Sequence, residues 1–151
     1  MAFEKYNSRR FIYLADDDSD DREFFADAVS EIDQDVILRQ EQDGMHLMDR
    51  LLALTPAEIP EFIFLDINMP GKSGLECLKE IRNLSGGLKD VSIVMLSTSS
   101  DPENIEKASE LGATCYAVKP SSFEKLKSLL REVLSMNVVG SIEGKKKFLL
   151  L

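Results

Sequence analysis

Asp16 and Asp17, Asp66, Ser97 and Lys119 each stand at the end of a short apolar run: residues 11–15, 62–65, 91–96 and 115–118. Short apolar runs bounded by turn residues read as buried strands of a parallel sheet. In such a sheet the carboxyl ends of the strands share one edge, where a crevice opens for ligands. Three carboxylates brought together there repel one another. At ~5 Å and an effective dielectric of ~20, each pair costs roughly 3 kcal/mol. A divalent cation removes that cost, and hard oxygen ligands favour Mg²⁺ or Mn²⁺ over zinc, which prefers His and Cys. A metal held by one or two carboxylates usually meets a phosphate, for whose oxygens Lys119 offers a point charge and Ser97 a hydroxyl. Asp66 then has the setting of a nucleophile that attacks phosphorus and forms an acyl phosphate.

The elements that must position these side chains alternate along the chain. Between the first two apolar runs, Phe24, Phe25, Ala28, Val29 and Ile32 form one helical face, with Asp20 and Asp21 in the first turn, where acids suit the helix dipole. A weaker strand follows at residues 36–40, then a turn at Asp43-Gly44 and a helical stripe of Leu47, Met48, Leu51 and Leu52. Pro56 and Pro60 make a loop into the run that ends at Asp66, and Pro70-Gly71 turns the chain out of it. Leu75, Leu78 and Ile81 mark a third helix. Asp101-Pro102 is a strong start for the fourth, with Asp as N-cap, and Gly112 ends it. A capping box at Ser121 and Glu124 opens a fifth, with Leu126, Leu129, Leu130, Val133 and Leu134 on its apolar face. Five strands alternating with five helices predict an α/β fold, a five-stranded parallel sheet doubly wound by helices on both faces.

The chain has 151 residues, enough for one domain with a substantial core. It carries 18 basic and 27 acidic side chains, a formal net charge of −9, which argues against a direct nucleic-acid partner. No apolar run approaches a membrane span, and the first ten residues carry charges and no signal-like apolar core. Two cysteines without metal-ligand spacing read as buried, reduced thiols. A cytoplasmic location is expected.

Asp16-Asp17, the stretch Phe-Leu-Asp66-Ile-Asn-Met-Pro-Gly, Leu96-Ser97 and Val118-Lys119-Pro120, in that order, resemble the receiver domain of two-component response regulators over about residues 10 to 135. The acidic run from Asp16 to Asp21 and the stretch of residues 97–100 further resemble the stand-alone subfamily paired with phytochrome-type histidine kinases. The resemblance implies the flavodoxin-like (βα)5 receiver fold and a phosphorylation-driven signalling protein rather than an enzyme with steady turnover. Asp66 would accept a phosphoryl group from the phosphohistidine of a sensor histidine kinase. Asp17, Asp66 and the Asn68 carbonyl would hold Mg²⁺, with Asp16 acting through water. Lys119 would pair with phosphoryl oxygens across a cis Lys119-Pro120 bond. Ser97 and Tyr116 would be the switch pair, altering the face made by the fourth helix, fifth strand and fifth helix. Asn68 and Ser99 flank the site. Ser97 departs from the more usual Thr and keeps the hydroxyl without the methyl. With no output domain expected, the signal would pass to a downstream protein or a phosphorelay partner.

Other readings of the same residues are available. Asp16 to Asp18 alone would be an acidic turn, Lys119 alone a surface lysine, and Tyr116 an edge-strand aromatic. Asp18, Asp20 and Asp21 are expected to be surface acids, and His46 is far from every strand-end motif. A receiver that keeps the fold without the switch would lose an acid or the lysine, and here all are present. A phosphatase of the haloacid dehalogenase type needs a second aspartate two residues after the first, and Asn68 cannot act as that general acid. Residues 1–136 are therefore taken as the receiver and residues 137–151 as a tail. Phe148 to Leu151 follow three lysines. They read either as part of a frayed terminus or as an apolar docking arm that would form a homodimer.

Overall fold

The computed structural model describes residues 10–136 and 148–150. Six strands form one parallel sheet: β1 (Arg10–Ala15), β2 (Val36–Glu41), β3 (Phe62–Asp66), β4 (Ser92–Ser97), β5 (Cys115–Val118) and β6 (Leu149–Leu150). Their order is β2-β1-β3-β4-β5-β6. The helices are α1 (Ser19–Ile32), α2 (Gly44–Leu52), α3 (Gly74–Arg82), α4 (Pro102–Leu111) and α5 (Phe123–Met136), with short 3₁₀ turns at Pro56–Glu58 and Gly87–Asp90.

Alternation along each strand divides the core between the two faces of the sheet. Ile12, Leu14, Phe62, Phe64, Val94 and Leu96 meet α1 and α5 on one face. Tyr13, Ile63, Leu65, Ile93, Met95 and Tyr116 meet α2, α3 and α4 on the other. Every residue of β3 is buried, as expected of the central strand of a two-sided sheet. The chain winds outward to β2 on one side of β1 and to β3, β4 and β5 on the other. The winding therefore reverses between β1 and β3, and a crevice opens beyond their carboxyl ends.

The sheet has six strands where five are expected. β6 runs parallel to β5, with Tyr116 opposite Leu149 and Ala117 opposite Leu150, and the Tyr116 N–H donates to the Phe148 carbonyl at 2.8 Å. Leu150 is only 2% exposed. Of the apolar end, Leu150 is thus buried against the chain's own sheet, while Phe148 and Leu149 are half-buried. A two-residue strand has no periodicity to read, which is why the pattern shows no sixth. Residues 137–147 and 151 of the expected tail lie outside the described residues.

Local signals set the helix ends. Asp18, Asp43, Ser73 and Asp101 each accept a backbone N–H in the first turn of a helix. Gly112, at φ +100°, ends α4 in the left-handed conformation that glycine adopts without penalty. The start of α5 is one residue later than its predicted box: Ser122 accepts the Lys125 N–H, so the third helical residue is a lysine and no reciprocal carboxylate is present. Arg82, leaving α3, donates to the carbonyls of Lys89, Val91 and Gly112 and so ties α3 to the end of α4.

Candidate functional site

β1 delivers Asp16 and Asp17 to the crevice, β3 delivers Asp66, β4 ends at Ser97, and β5 leads into Lys119. Carboxylate oxygens of Asp16, Asp17 and Asp66 all lie within 4.8 Å of one another. Asp16 and Asp66 are buried, whereas Asp17 is exposed. The donor set is three hard carboxylates without His or Cys, which suits a divalent cation of the Mg²⁺ or Mn²⁺ kind. Asn68, two residues past the strand, donates its N–H to Asp66 Oδ1 at 3.2 Å.

The backbone around these groups is fixed by the sheet. The Asp16 N–H donates to the Glu41 carbonyl, Ile67 to Leu96, and Lys119 to Ser97, each extending a strand pairing by one step. Arg22 in α1 donates to the Asp16 carbonyl at 2.7 Å, holding the chain as it leaves β1. Gly74, the first residue of α3, donates to the Ile67 carbonyl at 2.9 Å. A Cβ at position 74 would run into the Asp66 carbonyl oxygen, so the start of α3 can lie against the end of β3 only as glycine.

Lys119 is the cation of the site. Its ammonium donates to Asp16 Oδ2 at 2.9 Å, Asp21 Oδ2 at 2.9 Å and Asp66 Oδ2 at 3.2 Å. Burial alone would lower its pKa. Hydrogen bonds to Asp16 and Asp21 and the charge of Asp66 outweigh burial and hold it above the usual lysine value. Asp66 moves the other way from an ordinary carboxylate: burial, and to a lesser degree the Asp16 charge, push it up to about 6, against the opposing pull of Lys119.

The remaining predicted residues meet on the loop after β4. The Ser97 hydroxyl accepts the Ser99 N–H at 3.0 Å. The Tyr116 hydroxyl donates to the Ser99 carbonyl at 2.8 Å. Ser97 and Tyr116, both fully buried, therefore hold the two ends of the same residue. Tyr116 is not an edge-strand aromatic, since β6 lies outside it. The Lys119-Pro120 bond is not cis; no described peptide bond is, and trans is the form an X-Pro bond favours by about 0.5–1 kcal/mol. His46 is at the surface, paired with the helix-capping Asp43 at 2.8 Å. Cys77 and Cys115 are buried, and burial pushes the Cys77 thiol up to about 12.

Asp21 is the site residue that the pattern did not single out. No spacing marks it, since Asp17 lies outside α1; the only hint is that side chains of a first helical turn lean back toward the helix N-terminus.

Residues 12–131 match the model of the response regulator receiver domain. The chain is similar to a chemotaxis protein CheY homologue of Campylobacter jejuni, 30% identical over 133 residues that make up 88% of this chain and 96% of the relative. It is similar in structure to the phosphorylated cyanobacterial phytochrome response regulator RcpA, with a TM-score of 0.77, 26% identity, and coverage of 88% of this chain and 96% of the other. The Mn²⁺-bound form of the response regulator Rcp1 is similar with a TM-score of 0.71, 28% identity, and coverage of 83% and 92%. The chain also matches longer regulators, of whose length it spans 29% to 47%. Among the described residues, no helix is long and apolar enough to cross a membrane.

Proposed function

The chain belongs to the response regulator receiver family, and on that premise we propose that it is a single-domain phosphorylation switch with Asp66 as phosphoacceptor. The observation that carries this reading is the approach of Asp66 to Lys119 at 3.2 Å within a cluster whose other carboxylates are Asp16 and Asp17. The single-domain form is supported by relatives matched over nearly their whole length. The donor is the phosphohistidine of a sensor histidine kinase, and the naming of RcpA as a phytochrome response regulator favours a kinase of the phytochrome type.

In the reaction, an Asp66 carboxylate oxygen attacks phosphorus. The oxygen–phosphorus bond forms as the phosphorus–nitrogen bond breaks, and its electron pair returns to the donor imidazole. Asp17, Asp66 and the Asn68 carbonyl would hold Mg²⁺, with Asp16 contributing through water. A cation bound there supplies charge neutralisation for the carboxylates and for the phosphoryl oxygens. Lys119 meets the charge that Asp66 gains, since its ammonium already faces Asp66 Oδ2.

The output follows from Ser97 and Tyr116. A phosphoryl oxygen on Asp66 is a charged acceptor for the O–H of Ser97, which is buried away from solvent. The rotation that turns this hydroxyl away from Ser99 frees the Ser99 N–H, while the Tyr116 hydroxyl is tied to the other end of that residue. The loop between β4 and α4 then has a second arrangement, and the α4–β5–α5 face changes with it. A downstream protein or relay partner reads that face.

Acetyl phosphate with Mg²⁺ tests the reading. Intact mass should rise by one phosphoryl group in the wild type and not in Asp66→Asn. Labelling that persists in Asp66→Asn would show that Asp66 is not the acceptor.

A further inference from the structure

The Lys119 ammonium has three N–H donors, and all three are engaged: with Asp16 at 2.9 Å, Asp21 at 2.9 Å and Asp66 at 3.2 Å. Asp16 and Asp66 belong to the strand-end cluster. Asp21 does not; it comes from the first turn of α1. The three side chains also differ in solvation, at 3% exposed for Asp16, 9% for Asp66 and 45% for Asp21. Asp16, Asp21 and Lys119 border a small pocket of about 40 Å³ whose apolar wall includes Phe24, Phe25 and Leu126, and Lys119 is the only cation that lines it.

We propose that Asp21 is a positioning residue that retains Lys119 in the resting protein and releases it when a phosphoryl group arrives on Asp66, thereby slowing phosphorylation. This rests on the reading of Asp66 as phosphoacceptor. A phosphoryl oxygen adds another acceptor to an ammonium whose donors are already occupied, so one existing bond must be given up. Asp16, 3% exposed, gains no bulk water if it releases Lys119, which makes that release unfavourable. Asp66 carries the phosphoryl group, so the new oxygens enter beside its existing contact with Lys119, and that contact is kept rather than given up. Asp21 is half in water and is rehydrated as it lets go. Breaking its pair with Lys119 is then part of the barrier to phosphorylation.

Time courses of labelling by acetyl phosphate at saturating Mg²⁺ test this with wild type, Asp21→Asn, Asp21→Glu and Asp66→Asn. An exposed ion pair is worth up to about 1 kcal/mol, so the initial rate should rise roughly two- to fivefold in Asp21→Asn. Asp21→Glu keeps the charge and should stay near the wild-type rate. At about 1 M salt, where screening reaches ~3 Å, the gap between wild type and Asp21→Asn should narrow. A role confined to folding would give neither the rescue by Glu nor the dependence on salt. If wild type is labelled and Asp66→Asn is not, but Asp21→Asn is no faster than wild type, the retaining role of Asp21 is wrong and the phosphoacceptor reading stands. Absence of label in the wild type, or label in Asp66→Asn, would overturn the phosphoacceptor reading and this inference with it.

Discussion

Asp66 is a carboxylate ionised where ionisation is unfavourable. Its pKa, pushed up to about 6 from 3.8, means that between those two values the folded protein binds a proton that the unfolded chain does not. Stability contributed by this group therefore falls as pH rises through that window, and the cost is fully present above about 6. A shift of about two units corresponds to roughly 3 kcal/mol, partly offset in any variant that also loses the pairing with Lys119. Asp66→Asn should accordingly be about 2 kcal/mol more stable than wild type at neutral pH in metal-free buffer. The gain should disappear at a pH below the ordinary carboxylate value. Urea titrations at the two pH values measure it, and equal stability of both proteins at neutral pH would mean that Asp66 is better compensated than its burial implies. At this scale much was legible in the sequence, because Asp16, Asp17, Asp66, Ser97 and Lys119 each end an apolar run. Asp21 was not, since a side chain in a first helical turn reads as a dipole-favoured surface acid until the helix is placed beside β5.

Elements hold these residues through a few close approaches. Gly74 is the tightest, with α3 beginning against the Asp66 carbonyl. Gly74→Ala has no room for its methyl group, and the backbone it meets cannot rotate away as a side chain would. The expected loss is about 3 kcal/mol, the upper range for overpacking. Because the displaced atom belongs to Asp66, the proposed phosphoacceptor, labelling by acetyl phosphate should fall with it. Chemical denaturation and labelling measured on the same variant check this; unchanged stability would place the start of α3 farther from β3. Leu75, Leu78 and Ile81 announce α3 in the sequence, but periodicity reports which face of a helix is buried, not how closely its first residue approaches a strand. The same limit applies elsewhere. Ser122 rather than Ser121 caps α5 because caps are decided by backbone geometry. β6 escaped because its two residues are recognised only by the edge of β5 that they cover. The alternation of strands and helices, by contrast, is written in runs long enough to read, and it gave the doubly wound sheet.

The whole molecule carries a formal net charge of −9, and part of that charge is concentrated where three carboxylates lie within 4.8 Å. Such a cluster exists only in the folded chain, so a divalent cation that binds it must stabilise folding by RT ln(1 + [L]/Kd), about 2.7 kcal/mol at one hundred times Kd. Mg²⁺ should therefore raise the melting temperature of the wild type. The sign of its pH dependence follows from Asp66: below about 6 its carboxyl is increasingly protonated in the metal-free protein. A proton must then leave before the cation binds, and Mg²⁺ affinity should fall by up to tenfold for each further pH unit. Asp66→Asn separates the two charge effects. It should begin with the higher melting temperature in metal-free buffer and gain much less from Mg²⁺, so that excess cation reduces or reverses the order of the two proteins. Thermal melts of both, with and without Mg²⁺ at neutral and mildly acidic pH, test the order directly. Equal Mg²⁺ shifts in the two proteins would mean that the cation binds elsewhere on the acidic surface and that the strand-end cluster is not its site.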